Sequence, residues 1–271
     1  MKNLMSVDLE DYFCDLPIDG WGKYESRIMK TTNILLELFS KYNVSATFFT
    51  LGYIAEQFPN LIEKIVSQGH EIASHSFSHF DLRKRSNDEI KFDLKKSILS
   101  LEKISGDKII GFRAPFFSIS KQNIAVFDII KNFFKYDSSI FPVRSPLYGI
   151  TNAPRFPYMI SSNPLEENLN GNFLEIPLST LRMPILGNIP IAGGFYLRFL
   201  PIDLIKFGIN KLNKNHQPAM FYIHPKDLDI HMPKIDSYSW HYYYGLKNAK
   251  GKFESLLKNF KFCSVREMYS F

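Results

Sequence analysis

The sequence Glu71-Ile72-Ala73-Ser74-His75-Ser76-Phe77-Ser78-His79 joins a short apolar segment to two histidines. His75 and His79 stand four positions apart, about one helical turn, so both imidazoles can lie on one face and hold one cation. Imidazole is a preferred ligand of zinc and the neighbouring first-row metals. Taken alone, the spacing fits equally well two partly buried histidines that bond to backbone at a strand-to-helix junction. A metal site is favoured only if the remaining sequence supplies a third ligand, a base and an acid.

Alternating predicted strands and helices surround this stretch. The predicted strands cover residues 3–8, 46–50, 70–74, 109–112, 134–138, 173–178, 218–223 and 261–265. The predicted helices cover residues 26–42, 54–68, 87–104, 121–131, 202–214 and 246–259. This order predicts an α/β fold with a mostly parallel sheet and right-handed crossovers. Residues 141–172 contain repeated prolines, which predict an elaborated loop near the site, with a hairpin as one option, and not a linker between domains.

Length and composition limit the class of protein. The chain has 271 residues, which suits one α/β barrel, so we expect a single domain over residues 1–271. Hydrophobic residues make up 45%, enough for a large core, and this excludes a disordered chain. The net charge of +6 is a mild excess that favours an anionic substrate or a membrane surface that carries one. We find no motif that reads nucleic acid.

The sequence also predicts a cellular location. The apolar stretch at the start of the sequence is too short for a signal peptide and is soon followed by acidic residues. No apolar run in the sequence approaches about 18 residues. Cys14 and Cys263 are far apart and give no disulfide framework. We therefore expect no transmembrane segment and a cytoplasmic protein, with peripheral contact to the inner face of the membrane as an option. The oligomeric state is left open.

Polar side chains follow the carboxyl ends of several predicted strands. They are Asp8, Glu10 and Asp11 after the first strand, Arg113 after the fourth and His224 after a late one. Strand ends carry the chemistry in βα folds, and this shared position favours a metal site over independent core histidines. Glu175 lies within its own predicted strand. The acidic segment has one alternative interpretation, a loop that caps the next helix.

The ordered motifs resemble the polysaccharide deacetylases of the NodB-homology type, carbohydrate esterase family 4. The resemblance covers nearly the whole chain and rests on Asp8-Leu9-Glu10-Asp11, His75-Ser76-Phe77-Ser78-His79, Arg113-Ala114-Pro115-Phe116 and Phe221-Tyr222-Ile223-His224-Pro225. Residues 192–198 and 224–227 resemble the subgroup associated with bacterial exopolysaccharide gene clusters. The resemblance implies a deformed (β/α) barrel of seven or eight mostly parallel strands and one divalent metal, with Zn²⁺ expected.

The resemblance also implies residue roles. Asp8 would be the general base and His224 would protonate the leaving amine. His75, His79 and a carboxylate after Asp8 would hold the metal, and the backbone N–H of Phe116 would bind the oxyanion. Many family members have two adjacent aspartates, whereas Leu9 follows Asp8 here, which also leaves some doubt about which carboxylate is the base.

The ligand carboxylate stays open between two residues. Strand alternation puts Asp8 and Glu10 on one side and favours Glu10, while a turn after Leu9 would favour Asp11.

Further residues are predicted around this set. Arg113 would hold Asp8 ionised and oriented. Glu175 would orient His224, with Asp227 as the alternative partner. Phe117 and Trp240 are candidates for the wall of a substrate cleft, although core or rim packing is the commoner use of such side chains.

The predicted function is removal of an N-acetyl group from an amino sugar in a glycan or glycan precursor during surface-polysaccharide synthesis. The expected partner is an N-acetylated carbohydrate, either nucleotide-linked or lipid-linked. One alternative is another C–N hydrolase on the same scaffold, such as an allantoinase-like amidohydrolase or a deformylase. The other is a non-catalytic module that binds glycans.

Overall fold

Parallel strands that alternate with helices form the fold, seen here in a computed structural model that describes residues 1–145, 148–161 and 163–271. The chain divides into two compact units. Unit 1 comprises Met1–Phe48, Lys64–Glu71 and Ile191–Phe271, and unit 2 comprises Phe49–Glu63 and Ile72–Pro190. The prediction of a single domain over residues 1–271 stays a prediction.

The helices and strands follow the predicted order. The strands are β1 (Lys2–Leu9), β2 (Thr47–Thr50), β3 (Glu71–Ser74), β4 (Gly111–Phe112), β5 (Tyr136–Asp137), β6 (Tyr158–Ile160), β7 (Phe173–Glu175), β8 (Thr180–Met183), β9 (Gly187–Pro190), β10 (Met220–Ile223) and β11 (Lys261–Cys263). The α-helices are α1 (Ile28–Tyr42), α2 (Gly52–Gln57), α3 (Pro59–Ser67), α4 (Asn87–Ser105), α5 (Val126–Ile130), α6 (Gly194–Phe199), α7 (Ile202–Lys214), α8 (Leu246–Asn259) and α9 (Val265–Tyr269). Short 3-10 helices span Ile18–Lys23, Leu82–Lys84, Pro115–Phe117, Pro225–Leu228 and Trp240–Tyr242.

The main sheet is mostly parallel, as predicted. Its strand order is β10-β1-β2-β3-β4-β5-β7-β6, and β11 pairs with β1. β6 runs antiparallel to β7, and β8 and β9 form a separate antiparallel hairpin. The sequence did not predict the β8–β9 hairpin. β6 lies within the expected loop 141–172, and its antiparallel pairing with β7 agrees with the hairpin that the sequence left as an option there. Residues 146, 147 and 162 of this loop lie outside the described part.

Proline divides one predicted helix into two. The predicted helix 54–68 is α2 and α3, which are separated at Phe58. Phe58 has φ −132° and ψ 57°, outside the helical region, and precedes Pro59. A residue before proline is driven from helical angles because the pyrrolidine ring clashes with it, so the break follows from local sterics.

Strand register places the polar residues of each unit at one edge. In unit 1, Val7 of β1 lies opposite Ile223 of β10, so the residues that follow both strands are neighbours. In unit 2, Phe112 lies opposite Asp137, and Asp137 lies opposite Glu175. Parallel strands bring their carboxyl ends to the same edge, which is where chemistry gathers in such folds.

Every helix within the described residues is too short or too polar to cross a lipid bilayer.

His70 is buried as a neutral imidazole in unit 1. It is 6% exposed, and its ring lies 5.5 Å from that of Phe39 and 5.2 Å from that of Phe48. Its Nδ1 accepts a hydrogen bond of 3.1 Å from the N–H of Ala46. Burial lowers the pKa of His70 from 6.5 to about 4.

We expect His70 to make the fold sensitive to acid. The pKa of His70 is lower in the folded chain than in the unfolded chain. The free energy of unfolding is therefore highest above pH 6.5 and decreases as the pH falls toward 4. The loss is up to about 3 kcal/mol of unfolding free energy, from about 1.4 kcal/mol per pKa unit. His70→Asn should flatten this dependence when urea unfolding is measured across that range. His216→Asn, at an exposed histidine, is the control, and an unchanged acid sensitivity in His70→Asn would contradict the assignment.

Candidate active site

A buried acidic segment follows β1. Asp8 lies near the carboxyl end of β1 and His224 directly follows β10. Because these strands are parallel and in register, both residues lie at one edge of the sheet. The chain then turns, and the N–H of Glu10 donates to the carbonyl of Asp8 over 3.0 Å. The side chains of Asp8 and Glu10 are each 2% exposed. Burying carboxylates is costly unless donors or cations offset their charge, so their partners indicate their roles.

Asp11 caps a helix. Its Oδ2 accepts hydrogen bonds from the Ser26 hydroxyl at 2.5 Å and from the N–H groups of Arg27 and Ile28 at 2.9 and 3.1 Å. Its Oδ1 accepts from the N–H of Tyr12 at 2.8 Å. α1 begins at Ile28, so Asp11 satisfies backbone donors that the helix leaves without partners.

His224 lies between carboxylates. Its Nε2 is 3.3 Å from Glu10 Oε1 and 3.9 Å from Asp8 Oδ2. Its Nδ1 is 2.9 Å from Asp227 Oδ2, and its backbone N–H donates to the same oxygen. Burial works against protonation, but the hydrogen bond and charge of Asp227 and the charge of Glu10 outweigh it, so the pKa of His224 is raised.

Asp227 is held by an arginine and a close glycine. Burial opposes its ionisation, but Arg198 and His224 hold the pKa of Asp227 well below its usual range. Arg198 Nε lies 3.0 Å from Asp227 Oδ1. A Cβ on Gly194 would lie 1.6 Å from Asp227 Oδ2, so only glycine fits there. The paired glycines of the sequence therefore include one that makes room for the partner of His224.

Lys226 adds a cation that the sequence reasoning missed. Its Nζ lies 2.7 Å from Glu10 Oε1 and 3.0 Å from Asp15 Oδ2. Burial works against its charge, but Asp15 and Glu10 raise the pKa of Lys226 well above its ordinary value. The signal was present in the sequence, since Lys226 stands between His224 and Asp227, but its partners are distant along the chain.

In unit 2, the two motif histidines lie in a loop and not on a helix. This corrects the expectation that their spacing is a helical turn: β3 ends at Ser74, and residues 75–80 are not helical. Ser76 and His79 have φ values of 68° and 52°, in the left-handed region. The loop still brings the imidazoles of His75 and His79 together, with ring centroids 5.3 Å apart. His75 Nδ1 donates to the carbonyl of Arg113 at 2.7 Å, which leaves the lone pair on its Nε2.

Asp93 on α4 fixes this loop. Its carboxylate accepts hydrogen bonds from the N–H of Phe77 at 2.7 Å and from the N–H and hydroxyl of Ser78 at 3.2 and 2.5 Å. The N–H of Gly52, the first residue of α2, donates to the carbonyl of Ser76 at 3.0 Å. The loop conformation is therefore set by two helices that pack on it.

Arg113 is fully buried. Its guanidinium donates to the carbonyl and hydroxyl oxygens of Ser138 at 3.0 and 2.9 Å and lies 4.1 Å from the ring centroid of Phe49. These contacts fix the direction of its side chain. The predicted role of Arg113 toward Asp8 stays a prediction.

Glu175 faces a second carboxyl group. It lies opposite Asp137 in the sheet, and its Oε1 accepts from the N–H of Ile140 at 3.0 Å. Burial and the charge and hydrogen bond of Asp137 raise the pKa of Glu175 well above its ordinary value. Of the two predicted partners of His224, Asp227 is the one that its Nδ1 contacts.

The predicted aromatic residues have different environments. Phe116 has φ 56°, and its ring lies 4.5 Å from that of His79. Among the described residues, its backbone N–H donates to no backbone or side-chain acceptor. Phe117 is buried against the rings of Phe141 and Tyr148, 5.8 Å from each. Trp240 is exposed in unit 1.

Two family models match different parts of this chain. Residues 19–128 match the family model described as polysaccharide deacetylase, and residues 138–270 match one described as a domain of unknown function, DUF3473. The peptidoglycan-N-acetylglucosamine deacetylase of Bacillus cereus is 33% identical over 96 residues, 35% of this chain and 35% of that protein. The family model and the relatives support the polysaccharide deacetylase family.

Two further curated relatives are also deacetylases. The peptidoglycan deacetylase of Helicobacter pylori is 34% identical over 106 residues, 39% of this chain and 36% of that protein. The chitooligosaccharide deacetylase of Azorhizobium caulinodans is 30% identical over 96 residues, 35% of this chain and 46% of that protein. The chain thus spans 35 to 46% of these relatives' length.

Solved structures share the fold. A Mycobacterium smegmatis structure described as a polysaccharide deacetylase has a TM-score of 0.64 at 18% identity and covers 99% of this chain and 90% of its own. The Puue allantoinase has a TM-score of 0.58 at 17% identity, with coverages of 97% and 80%. These likenesses confirm the predicted fold class, the deformed (β/α) barrel of the deacetylase family.

We expect Gly52→Ala to disturb the histidine loop. A Cβ at this position would lie 2.5 Å from Phe77 Cδ2 and 3.0 Å from Ser97 Cα, so the loop or α4 must move. Overpacking of this kind costs about 1–3 kcal/mol of unfolding free energy, measured by urea titration. Gly251→Ala on α8 is the matched control, because nothing lies within 4 Å and alanine favours a helix by about 1 kcal/mol. Equal stability of Gly52→Ala and wild type would contradict the tight packing.

Proposed function

We propose that this chain is a metal-dependent hydrolase that removes an N-acetyl group from an amino sugar of a glycan or glycan precursor. The proposal rests on the environment of His224. Its Nδ1 contacts the carboxylate of Asp227, and the carboxylates of Glu10 and Asp8 lie near its Nε2. A histidine held in this way can deliver a proton to a leaving amine. The names of the similar deacetylases support the same reaction.

The proposed ligands of one divalent metal, with zinc as its proposed identity, are Glu10, His75 and His79. Each is buried and offers one ligand atom. Two imidazoles and one carboxylate are a donor set that catalytic zinc uses. Asp11 is the weaker candidate because its oxygens already accept four hydrogen bonds at the start of α1. A bound metal of this kind would polarise the acetamide carbonyl and lower the pKa of a water.

The chain's own residues would carry the proton transfers. Asp8, as general base, would take a proton from the water that attacks the acetamide carbonyl carbon. The N–H of Phe116 would donate to the developing oxyanion. His224 would give its Nε2 proton to the sugar nitrogen as the C–N bond breaks, which yields acetate and a free amine. Asp227 would keep the imidazole oriented throughout.

The finer proposal concerns the substrate and its place in the cell. We propose a nucleotide-linked or lipid-linked precursor of a surface polysaccharide, processed in the cytoplasm or at the inner face of the membrane. The net charge of +6 supports a phosphate-bearing carrier. The two segments that resemble the exopolysaccharide-associated subgroup also support it, and Arg198 of one segment forms an ion pair with Asp227 of the other.

Asp8→Asn should abolish turnover and keep the metal. Asparagine preserves the shape of the side chain but cannot accept the proton, so we expect kcat to fall by roughly 100- to 10,000-fold. Acetate release and metal content by mass spectrometry measure the two effects. Asp19→Asn, at an exposed aspartate, is the control. Turnover that survives in Asp8→Asn would show that another group is the base.

His75→Ala should lower metal content and activity together. Removal of one of three ligands should weaken metal affinity by more than roughly tenfold, the lower limit seen when even outer partners of a metal site are lost. Metal content is measured after dialysis against a graded chelator, with His231→Ala at an exposed histidine as the control. Wild-type metal content in His75→Ala would exclude this residue as a ligand.

The substrate class can be tested with a panel of acetylated compounds. We expect mass loss of one acetyl group from N-acetylated sugar nucleotides or lipid-linked glycans, and no hydrolysis of allantoin. Activity confined to finished polymer would contradict the precursor proposal. Hydrolysis of allantoin would favour the amidohydrolase alternative, and glycan binding without turnover would favour the non-catalytic module.

A further inference from the structure

An exposed apolar turn lies at the tip of the β8–β9 hairpin in unit 2. Ile185 is 96% exposed and Leu186 is 72% exposed, and they stand side by side in the turn that joins the two strands. Apolar side chains this exposed are unusual when they are adjacent, and they mark a surface that meets an apolar environment. Gly187 closes the turn with φ 72°, a conformation that glycine adopts without strain.

A cavity of about 520 Å³ lies beside the tip of the same hairpin, because its lining includes Arg182, Gly187 and Asn188 next to the turn. Arg155 and Arg182 line it together with Asn152 and Asn188, and none of its described lining residues is acidic. Arg182 lies on β8 opposite Asn188 on β9. Apolar residues at the tip of the hairpin therefore lie near the guanidinium group of Arg182 on β8 and that of Arg155 across the cavity.

Arg155 is fixed in place toward this cavity. Its Nε and Nη2 donate to the hydroxyl and carbonyl oxygens of Thr180 at 3.0 and 2.7 Å. Within the described residues, neither Arg155 nor Arg182 forms an ion pair with a carboxylate. Burial and the charge of Arg182 lower the pKa of Arg155, as expected for two cations with no anion between them. Guanidinium groups bind phosphate through paired N–H donors, so a phosphate would relieve this repulsion.

We propose that the β8–β9 hairpin docks on an anionic lipid bilayer, with Ile185 and Leu186 among the acyl chains and a lipid phosphate in the Arg155–Arg182 cavity. Charge complementarity decides the occupant, because apolar tips beside basic groups match the layered chemistry of a membrane interface. A protein partner would have to supply both an apolar pocket and an acidic group at the hairpin spacing. None of these hairpin and cavity residues belongs to the proposed catalytic set.

Vesicle flotation of the full chain tests this proposal. Vesicles of phosphatidylcholine with phosphatidylglycerol should carry the protein upward, and pure phosphatidylcholine vesicles should carry much less. Arg182→Gln should weaken partitioning by roughly fivefold, the effect of about one basic residue near an anionic surface. Added salt should weaken binding of the wild type. No binding to the anionic vesicles would overturn the proposal.

Matched variants separate the two parts of the surface. Ile185→Ser with Leu186→Ser should reduce partitioning, while Leu169→Ser, at a loop leucine that is 86% exposed, should not. Lys211→Gln, at an exposed lysine of unit 1, is the charge control for Arg182→Gln. Equal loss in variants and controls would overturn the assignment to this hairpin.

Binding of inorganic pyrophosphate that depends on Arg182, without vesicle binding, would assign the cavity to a soluble phosphate ligand and overturn the membrane proposal. Flotation needs no turnover, so its outcome is independent of the deacetylase tests.

Discussion

The hydrogen bond between Asp227 and Nδ1 of His224 is the contact on which the rest of unit 1's site depends. It requires a carboxylate that stays ionised in a buried position, and Arg198 supplies the compensating charge. It also requires space, which exists because Gly194 has no side chain. Arg198 further donates to the carbonyls of His241 and Tyr244, so the same ion pair anchors the aromatic segment that carries Trp240. One interaction thus sets the tautomer of His224 and the position of a neighbouring loop.

The buried carboxylates of unit 1 differ in how their charge is offset, and this separates their roles. Asp11 is satisfied by donors at the start of α1, which is a helix cap. Glu10 instead faces Lys226 and His224, both of which carry or can carry positive charge. A carboxylate that faces cationic side chains can exchange one cation for another. A carboxylate that caps a helix cannot move away without leaving backbone N–H groups without acceptors. The energetic cost of moving Asp11 is the physical reason to prefer Glu10 as the proposed metal ligand.

Local patterns predicted most of the fold and the strand-end residues. The ends of the strands can be recognised in the sequence, because an apolar run gives way to a polar residue within one or two positions. These polar residues are Asp8, His75, Arg113 and His224. The order of strands and helices follows from the same periodicity, and the acidic segment contains the helix cap that was one of its two interpretations. Parallel pairing then follows from the alternation itself.

The missed features depend on distant partners or on backbone angles. Lys226 and Arg198 find their carboxylates through the fold, and no local spacing announces an ion pair between residues 216 positions apart such as Lys226 and Glu10. The i, i+4 spacing of the motif histidines suggested a helix. Hydrogen bonds that the Asp93 carboxylate, on a helix further along the chain, accepts from the N–H groups of Phe77 and Ser78 select a loop instead. The hairpin of β8 and β9 is short and has an apolar turn, which is opposite to the polar turn pattern that sequence reasoning looks for.

Strained backbone in unit 2 shows what the fold maintains at the histidine loop. Ser76, His79, Phe116 and Phe117 all have positive φ values without being glycine. Such conformations cost about 1 kcal/mol or more each and persist only where surrounding contacts impose them. Those contacts are present. The hydroxyl of Ser76 accepts from the N–H of His79 at 3.1 Å, and the N–H of Ala114 donates to the hydroxyl of Ser139 at 2.8 Å.

The positive φ angles determine where the functional groups point. At His79 the left-handed turn sets its ring against that of Phe116, 4.5 Å away, and at Phe116 it accompanies a backbone N–H that has no acceptor among the described residues. A relaxed loop would lower the backbone energy but would redirect the imidazole and this N–H. Under the proposed function, this strain would be the cost of holding the proposed oxyanion donor of Phe116 and the proposed ligand His79 in a fixed direction before a substrate arrives, which is the arrangement that electrostatic catalysis requires.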